Sequence, residues 1–364
     1  MTATATPLDR TAVEAFQGRL LEAAAGTFEL FSIHLGEQLG WYRLLAAEGP
    51  LTSVELAARS GTAERYAREW LEQQAAGGLL EVEDPALGPQ ERRYRLGPAQ
   101  AEVLASEESL DFLAPLAQIV VGALSAAPLL EEVYRRGGGV PFAEYGRHLR
   151  EGQGRMNKVM LLRLLGGEWL PAIPALHRRL TAGPTRAADF GCGHGWASIG
   201  LATAYPLVRV DGFDLDAASI DEARRHAEAR GVADRVRFER RDVADPALAG
   251  HYDLVFACEV LHDLGDPVGG LRTARRLLRA GGEVVIVDER VSERFQPRCG
   301  VWERVLYGFS IHHCLPAGLA DGEAGTGTVM RPETVRRYAR ESGFARVELV
   351  PVDHPFFNVY RLIA

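Results

Sequence analysis

Asp189-Phe190-Gly191-Cys192-Gly193-His194-Gly195 is the stretch on which the reading of this chain turns. It follows an apolar, strand-like run at Arg186–Phe190 and precedes a helix-like run near 197–204. Glycines here let the backbone turn tightly and bring its amides close to a ligand at the helix N-terminus. The next strand-like run, Val208–Asp214, ends on an acid nineteen residues after Gly195. An acidic side chain at that point can accept both hydroxyls of a ribose. Asp242 ends the third such run and suits an adenine amino group, with the Val243 amide beside it. A dinucleotide fingerprint would need G-x-G-x-x-G, but position 196 is Trp. Asp189, ahead of the glycines, fits poorly against a pyrophosphate and well against the cationic amino group of a methionine moiety. The pattern favours S-adenosyl-L-methionine (SAM).

Outward from this turn, strands alternate with helices, which predicts a parallel sheet. The strand-like runs are 186–190, 208–214, 236–241, 252–258, 283–288, 345–351 and 357–362, with helices near 197–204, 217–230, 267–279 and 332–342. The last two runs are joined too briefly for a crossover helix, so they should pair as an antiparallel hairpin. The expected fold class is α/β, a Rossmann-like seven-stranded sheet over 181–364 with an N-terminal helical domain. Cys299 to Thr328 interrupts the rhythm and reads as an insertion over the substrate or a packed surface excursion.

Residues 1–110 read as that small domain. A helical stretch from Gly36 to Ala47 stops at Gly49-Pro50, and Thr52-Ser53-Val54-Glu55 is a capping box. Helices through Ala58 and over 63–76 follow, then two short runs, Leu79–Glu83 and Arg92–Leu96, which make a hairpin. Three helices and a hairpin form a winged helix, whose second and third helices would read DNA. On that third helix, however, Arg65 and Arg68 alternate with Glu64, Glu69 and Glu72, so no basic stripe exists. A dimerisation or substrate-lid module is the better expectation. Residues 111–180 read as helices broken at Pro115, Pro128, Pro141, Pro171 and Pro174, and supply Phe142, Tyr145, Met156, Trp169, Arg147, Arg150 and Arg155 as a pocket wall or as core.

The composition narrows the partners. At 364 residues the chain should form more than one domain, and its net charge of −8 argues against nucleic acid. No apolar run approaches the roughly 20 residues needed to span a bilayer, and Met1–Pro7 has no leader-like pattern. Four cysteines without a C-x-x-C pair suit reduced thiols, so a cytoplasmic protein is expected.

The motif order now carries a resemblance. D-F-G-C-G-H-G, G-F-D-L-D (212–216), R-D-V (241–243), Y-D-L-V-F-A-C-E-V-L-H-D-L (252–264) and L-R-A-G-G-E-V-V-I-V-D-E (278–289) resemble the motif series of class I SAM-dependent methyltransferases. The likeness covers roughly 185–364. It implies cofactor contacts from Asp189, Gly191, Gly193, Gly195, Asp214, Leu215, Asp242, Val243 and Cys258. With the winged helix it resembles small-molecule O-methyltransferases, in which that domain serves dimerisation, and bacterial α-keto acid C-methyltransferases.

At the acceptor, the protein must align the acceptor in line with the methyl group and remove a proton. His262 lies just past the fourth strand, at the carboxyl edge where open α/β sheets bind ligands, and imidazole titrates near neutral pH. In the caffeic-acid-type O-methyltransferases the His of such an H-D pair is the base, and Glu289 matches the Glu that orients it. A further Glu of that family has no counterpart near Thr328–Arg331. A second expectation is a metal site: His262, Asp263 and His313 have the composition of a facial triad for one iron or zinc ion, which would chelate a 2-oxo acid and acidify the neighbouring carbon. The resembling keto-acid enzymes carry such an H-D…H set. The expected whole is a homodimeric enzyme that methylates oxygen or an activated carbon of a small aromatic or keto-acid metabolite. A SAM-responsive DNA-binding regulator and a SAM-fold enzyme that leaves the methyl in place are the alternatives.

Overall fold

A computed structural model describes residues 8–364, and the leader reading of Met1–Pro7 lies outside them. The chain divides into two compact units at Val121/Gly122. That boundary falls inside the block expected over 111–180, whose part from Gly122 onward lies in the second unit.

In the first unit, helix Arg10–Gln38 precedes three short helices, Trp41–Glu48, Ser53–Ser60 and Glu64–Ala76. The stretch read as one helix from Gly36 is broken, because Gly40 takes a left-handed φ of 71° that a side chain would resist. The capping box forms: Thr52 Oγ1 accepts from the Glu55 amide at 3.2 Å, and Glu55 accepts from the Thr52 amide at 2.9 Å. Strands β1 (Glu81–Val82) and β2 (Tyr94–Arg95) make the wing, shorter than their apolar runs. Trp41, Tyr42, Leu56, Trp70, Leu71 and Tyr94 fill the core beneath it. On helix Glu64–Ala76, Arg65 pairs with Glu69 and Arg68 with Glu64, one turn apart, so both guanidiniums are already matched.

The second unit opens on helices that start where the prolines fall: Pro128 and Pro174 sit in the first turns of Ala127–Arg136 and Pro174–Ala182. There the missing amide costs nothing. Helix Gly146–Leu164 lies between them. Trp169, fully buried, is core rather than pocket wall. The sheet follows as β3 (Thr185–Phe190), β4 (Val208–Asp214), β5 (Val236–Arg240), β6 (Tyr252–Cys258), β7 (Leu278–Glu289), β8 (Arg346–Leu349) and β9 (Phe357–Ile363). Its order is β5-β4-β3-β6-β7-β9-β8. The first five run parallel, while β9 enters antiparallel between β7 and β8, as the short connection required. β6 is apolar almost throughout and buried along nearly its whole length because helices cover both faces of a parallel sheet. The strand order reverses between β3 and β6, which opens a crevice at their carboxyl ends. The expected insertion after β7 is helical: Val301–Phe309, a π turn at Ser310–Cys314, and Leu315–Asp321. Among the described residues, no single helix is long and apolar enough to cross a membrane.

Candidate active site

The crevice holds a cavity of about 460 Å³, within the ~300–1,000 Å³ of small-molecule sites. Register brings its parts together: Phe190 lies beside Phe213 on one side and Ala257 on the other, so β3, β4 and β6 deliver their ends to one place. The turn after β3 needs its glycines, since Gly191, Gly193 and Gly195 all have positive φ. A Cβ on Gly191 would stand 2.4 Å from Val260, and one on Gly195 would stand 2.6 Å from Phe238.

Of the residues expected to contact the cofactor, Asp189, Gly191, Gly193, Asp214, Leu215, Asp242, Val243 and Cys258 line the cavity. Gly195 does not. It ends the turn as the cap residue of helix Trp196–Ala204, close-packed on Phe238 and Ala223. Asp214 is fixed by the amides of Gly193 and Asp216, each at 2.8 Å, which couples the end of β4 to the glycine turn. Asp189 accepts from the Ser198 amide at 3.0 Å and its hydroxyl at 2.7 Å. No cation pairs with Asp189 among the described residues, and burial pushes its carboxyl up to about 7. A buried carboxylate without a counter-cation suits a ligand that brings one, so the residues present fit SAM. Sequence reasoning passed over Asp216, which Arg150 grips through two nitrogens at 2.5 and 3.2 Å. Both line the cavity with Phe142 and Asn157.

At the other end stand Glu259 and Asp263. Glu259 has a φ of 54°, the left-handed region unusual for a side-chain-bearing residue, and accepts from Asn157 Nδ2 at 2.5 Å. Burial raises its carboxyl to about 7, against the opposing pull of His262. His262 itself is a correction: it is 2% exposed and does not line the cavity. Its Nδ1 lies 2.8 Å from Asp288 and 3.1 Å from Glu289, and its Nε2 faces Asp263 at 3.3 Å. Glu289 therefore holds the imidazole as expected, but Asp288 is nearer. Burial would lower the imidazole pKa, yet the carboxylates of Asp288, Glu289 and Asp263 outweigh it and hold the pKa well above its ordinary value. Burial and the Asp288 charge push Glu289 the other way, towards its neutral form.

The expected metal triad is not assembled. His313 stacks edge-on against Tyr145 and Phe142, with Nδ1 3.3 Å from Cys314 Sγ. Among the described residues, the sets of three such side chains with donor atoms within 4.8 Å of one another are His262–Asp263–Cys314 and His262–Asp288–Glu289. Neither includes His313, so the set His262–Asp263–His313 is not among them. All four cysteines are free thiols.

A doubly wound sheet with a SAM-type glycine turn at its switch point defines a methyltransferase domain. Residues 188–284 match the family model described as "Methyltransferase domain", and residues 29–106 match the "Rv2258c-like winged HTH domain". The chain thus carries a methyltransferase domain behind an N-terminal winged-helix domain. It is 36% identical over 104 residues to 27-O-demethylrifamycin SV methyltransferase of Amycolatopsis mediterranei (strain S699). That match spans 28% of this chain and 38% of the relative's own length. Among solved structures, mitomycin 7-O-methyltransferase is similar at a TM-score of 0.70 and 21% identity, covering 98% of this chain and 100% of that one. Human N-acetylserotonin methyltransferase in complex with SAM is similar at 0.71 and 19%, covering 99% of each chain. At these identities the two structures establish the shared fold.

Proposed function

We propose that the chain transfers a methyl group from SAM to a hydroxyl oxygen of a small molecule. One observation carries the reading: a single cavity joins the uncompensated Asp189 and the Asp214–Asp242 end to Glu259 and Asp263, behind which a histidine is locked by carboxylates. Bound SAM supplies an electrophilic methyl on a cationic sulfur. The protein's share is to hold the acceptor oxygen in line and take its proton as the new carbon–oxygen bond forms and the carbon–sulfur pair returns to sulfur. Asp288 and Glu289 fix the His262 ring through Nδ1 and leave Nε2 to face Asp263, which reaches the cavity. His262 is the proton acceptor in this reading, Asp263 its link to the acceptor, and Asp288 with Glu289 position it. The imidazole must be neutral to act, so its raised pKa sets the lower edge of the active pH range.

The same reading takes the chain as a homodimer through helix Arg10–Gln38, which exposes Phe16, Leu20, Phe28, Phe31 and Leu35 along one side. The paired arginines of helix Glu64–Ala76 speak against DNA as its partner. The test is formation of S-adenosylhomocysteine (SAH) and methylated product from a panel of hydroxylated aromatics. His262→Ala should slow transfer by about 10²–10⁴-fold while SAM still binds. Transfer at the native rate in that variant would remove His262 from the mechanism.

A further inference from the structure

The charge of the cavity bears on which acceptor it takes, given the reading that SAM and acceptor share it. Seven carboxylates line it against three guanidiniums. Each guanidinium is already engaged: Arg150 by Asp216, Arg240 by the Leu215 carbonyl, and Arg241 by Asp245. Asp189, Asp214 and Asp242 belong to the cofactor end. Glu259, Asp263 and Asp321 remain for the acceptor, and among the described ion pairs the cation paired with them is His262, at Asp263, which already faces Asp288 and Glu289. Asp321 makes no ion pair among the described residues, and after burial the charges of Asp242 and Asp263 push its carboxyl further up.

An acceptor bearing a carboxylate would bury an anion against these acids with no counter-charge, which is costly. A protonated amine would meet them favourably, with the Phe142 ring on the same wall. Near Asp263, Tyr145 Oη and His313 Nε2 are buried without a hydrogen-bond partner, each within reach of the Asp263 charge. A hydroxyl arriving at Asp263 is the kind of group that would satisfy them. We propose that the acceptor is a hydroxylated amine, its hydroxyl met by Asp263 and its protonated amine held by Glu259 and Asp321, and that 2-oxo acids and other carboxylates are excluded.

The experiment compares two probes of equal size, tyramine and 4-hydroxyphenylacetate, binding to the full chain saturated with SAH. Calorimetry of SAH alone comes first. Tyramine is expected to bind at least about tenfold tighter, a difference of ~1.4 kcal/mol, with the ratio shrinking as salt is raised. Equal or tighter binding of the carboxylate, or binding of neither probe to the SAH-saturated chain, overturns the proposal. Failure to bind SAH overturns the cofactor reading, and this proposal with it.

Discussion

At the scale of single residues, two buried acids and a histidine decide the pH behaviour. Asp189 titrates near 7 in the folded chain because burial disfavours its charge. A cation bound beside it requires the charged form, so SAM affinity should rise with pH up to about 7 and level off above it. Titration calorimetry from acid to neutral pH measures this, and Asp189→Asn should bind SAM weakly with the slope gone. The sign for stability follows. A carboxyl raised from 3.8 to about 7 holds its proton in the folded state, so this group's contribution falls as pH climbs through that window. His262 carries the same sign, since its carboxylate neighbours also raise its pKa and its contribution is lost as pH climbs through that raised value. Transfer should therefore climb with pH to well above the range of a free imidazole. Asp288→Asn should draw that limb to lower pH, read from kcat against pH with circular dichroism as the folding check. A limb unmoved in that variant would mean another group is the base. The sequence pointed to His262 because it sits just past a strand end, and to Glu289 through the resemblance to the caffeic-acid-type O-methyltransferases. It did not point to Asp288, whose place in the last turn of a buried strand looks structural until the ring of His262 is seen 2.8 Å away. Nor did spacing reveal that Cys314, beside His313 in a π turn, is the residue whose donor atom groups with those of His262 and Asp263.

At the scale of elements, the strands were legible to within a residue or two except β7. Parallel strands covered on both faces are near-continuous apolar runs, and β4 and β6 match their expected limits outright. β7 begins five residues early, at Leu278, because pairing with β6 extends it across Gly281 and Gly282, which composition marks as a turn. The glycine turn is the element whose chemistry is most exposed to test. Gly195→Ala places a Cβ 2.6 Å from Phe238 at a φ of 79°. Left-handed backbone alone costs roughly 1–2 kcal/mol for alanine. SAM affinity should fall at least about tenfold as the Gly193–Asp214 link is displaced, whereas native affinity would mean that the turn is not the cofactor's seat. The capping box predicts a smaller effect in the first unit. Thr52→Ala should lower the unfolding free energy by about 1 kcal/mol by denaturant titration, leaving SAM affinity as it was.

At the scale of the whole molecule, the division into units was only half legible. The winged helix was visible in its caps and turns, but the block over 111–180 read as separate because prolines punctuate it. Those prolines start helices rather than end a domain. The long helix Arg10–Gln38 escaped the sequence reading for a related reason: its apolar residues have no core of their own chain to match. Phe16, Leu20, Phe28, Phe31 and Leu35 recur at spacings of three, four or eight, which puts them within one stripe roughly 120° wide on a helix about 44 Å long. All five are exposed within a single chain, and Phe16 and Phe28 are 66% and 71% accessible. Soluble monomers seldom leave such a stripe open. Covering five large side chains gains on the order of 10 kcal/mol, enough to offset much of the entropy of association. Sedimentation equilibrium should thus find twice the chain mass at micromolar concentration. Phe16→Glu with Phe28→Glu, which puts charges into the stripe and replaces no cavity residue, should yield the single-chain mass with the circular dichroism spectrum retained. A native chain that sediments as a monomer would leave the stripe without its partner and sink the homodimer.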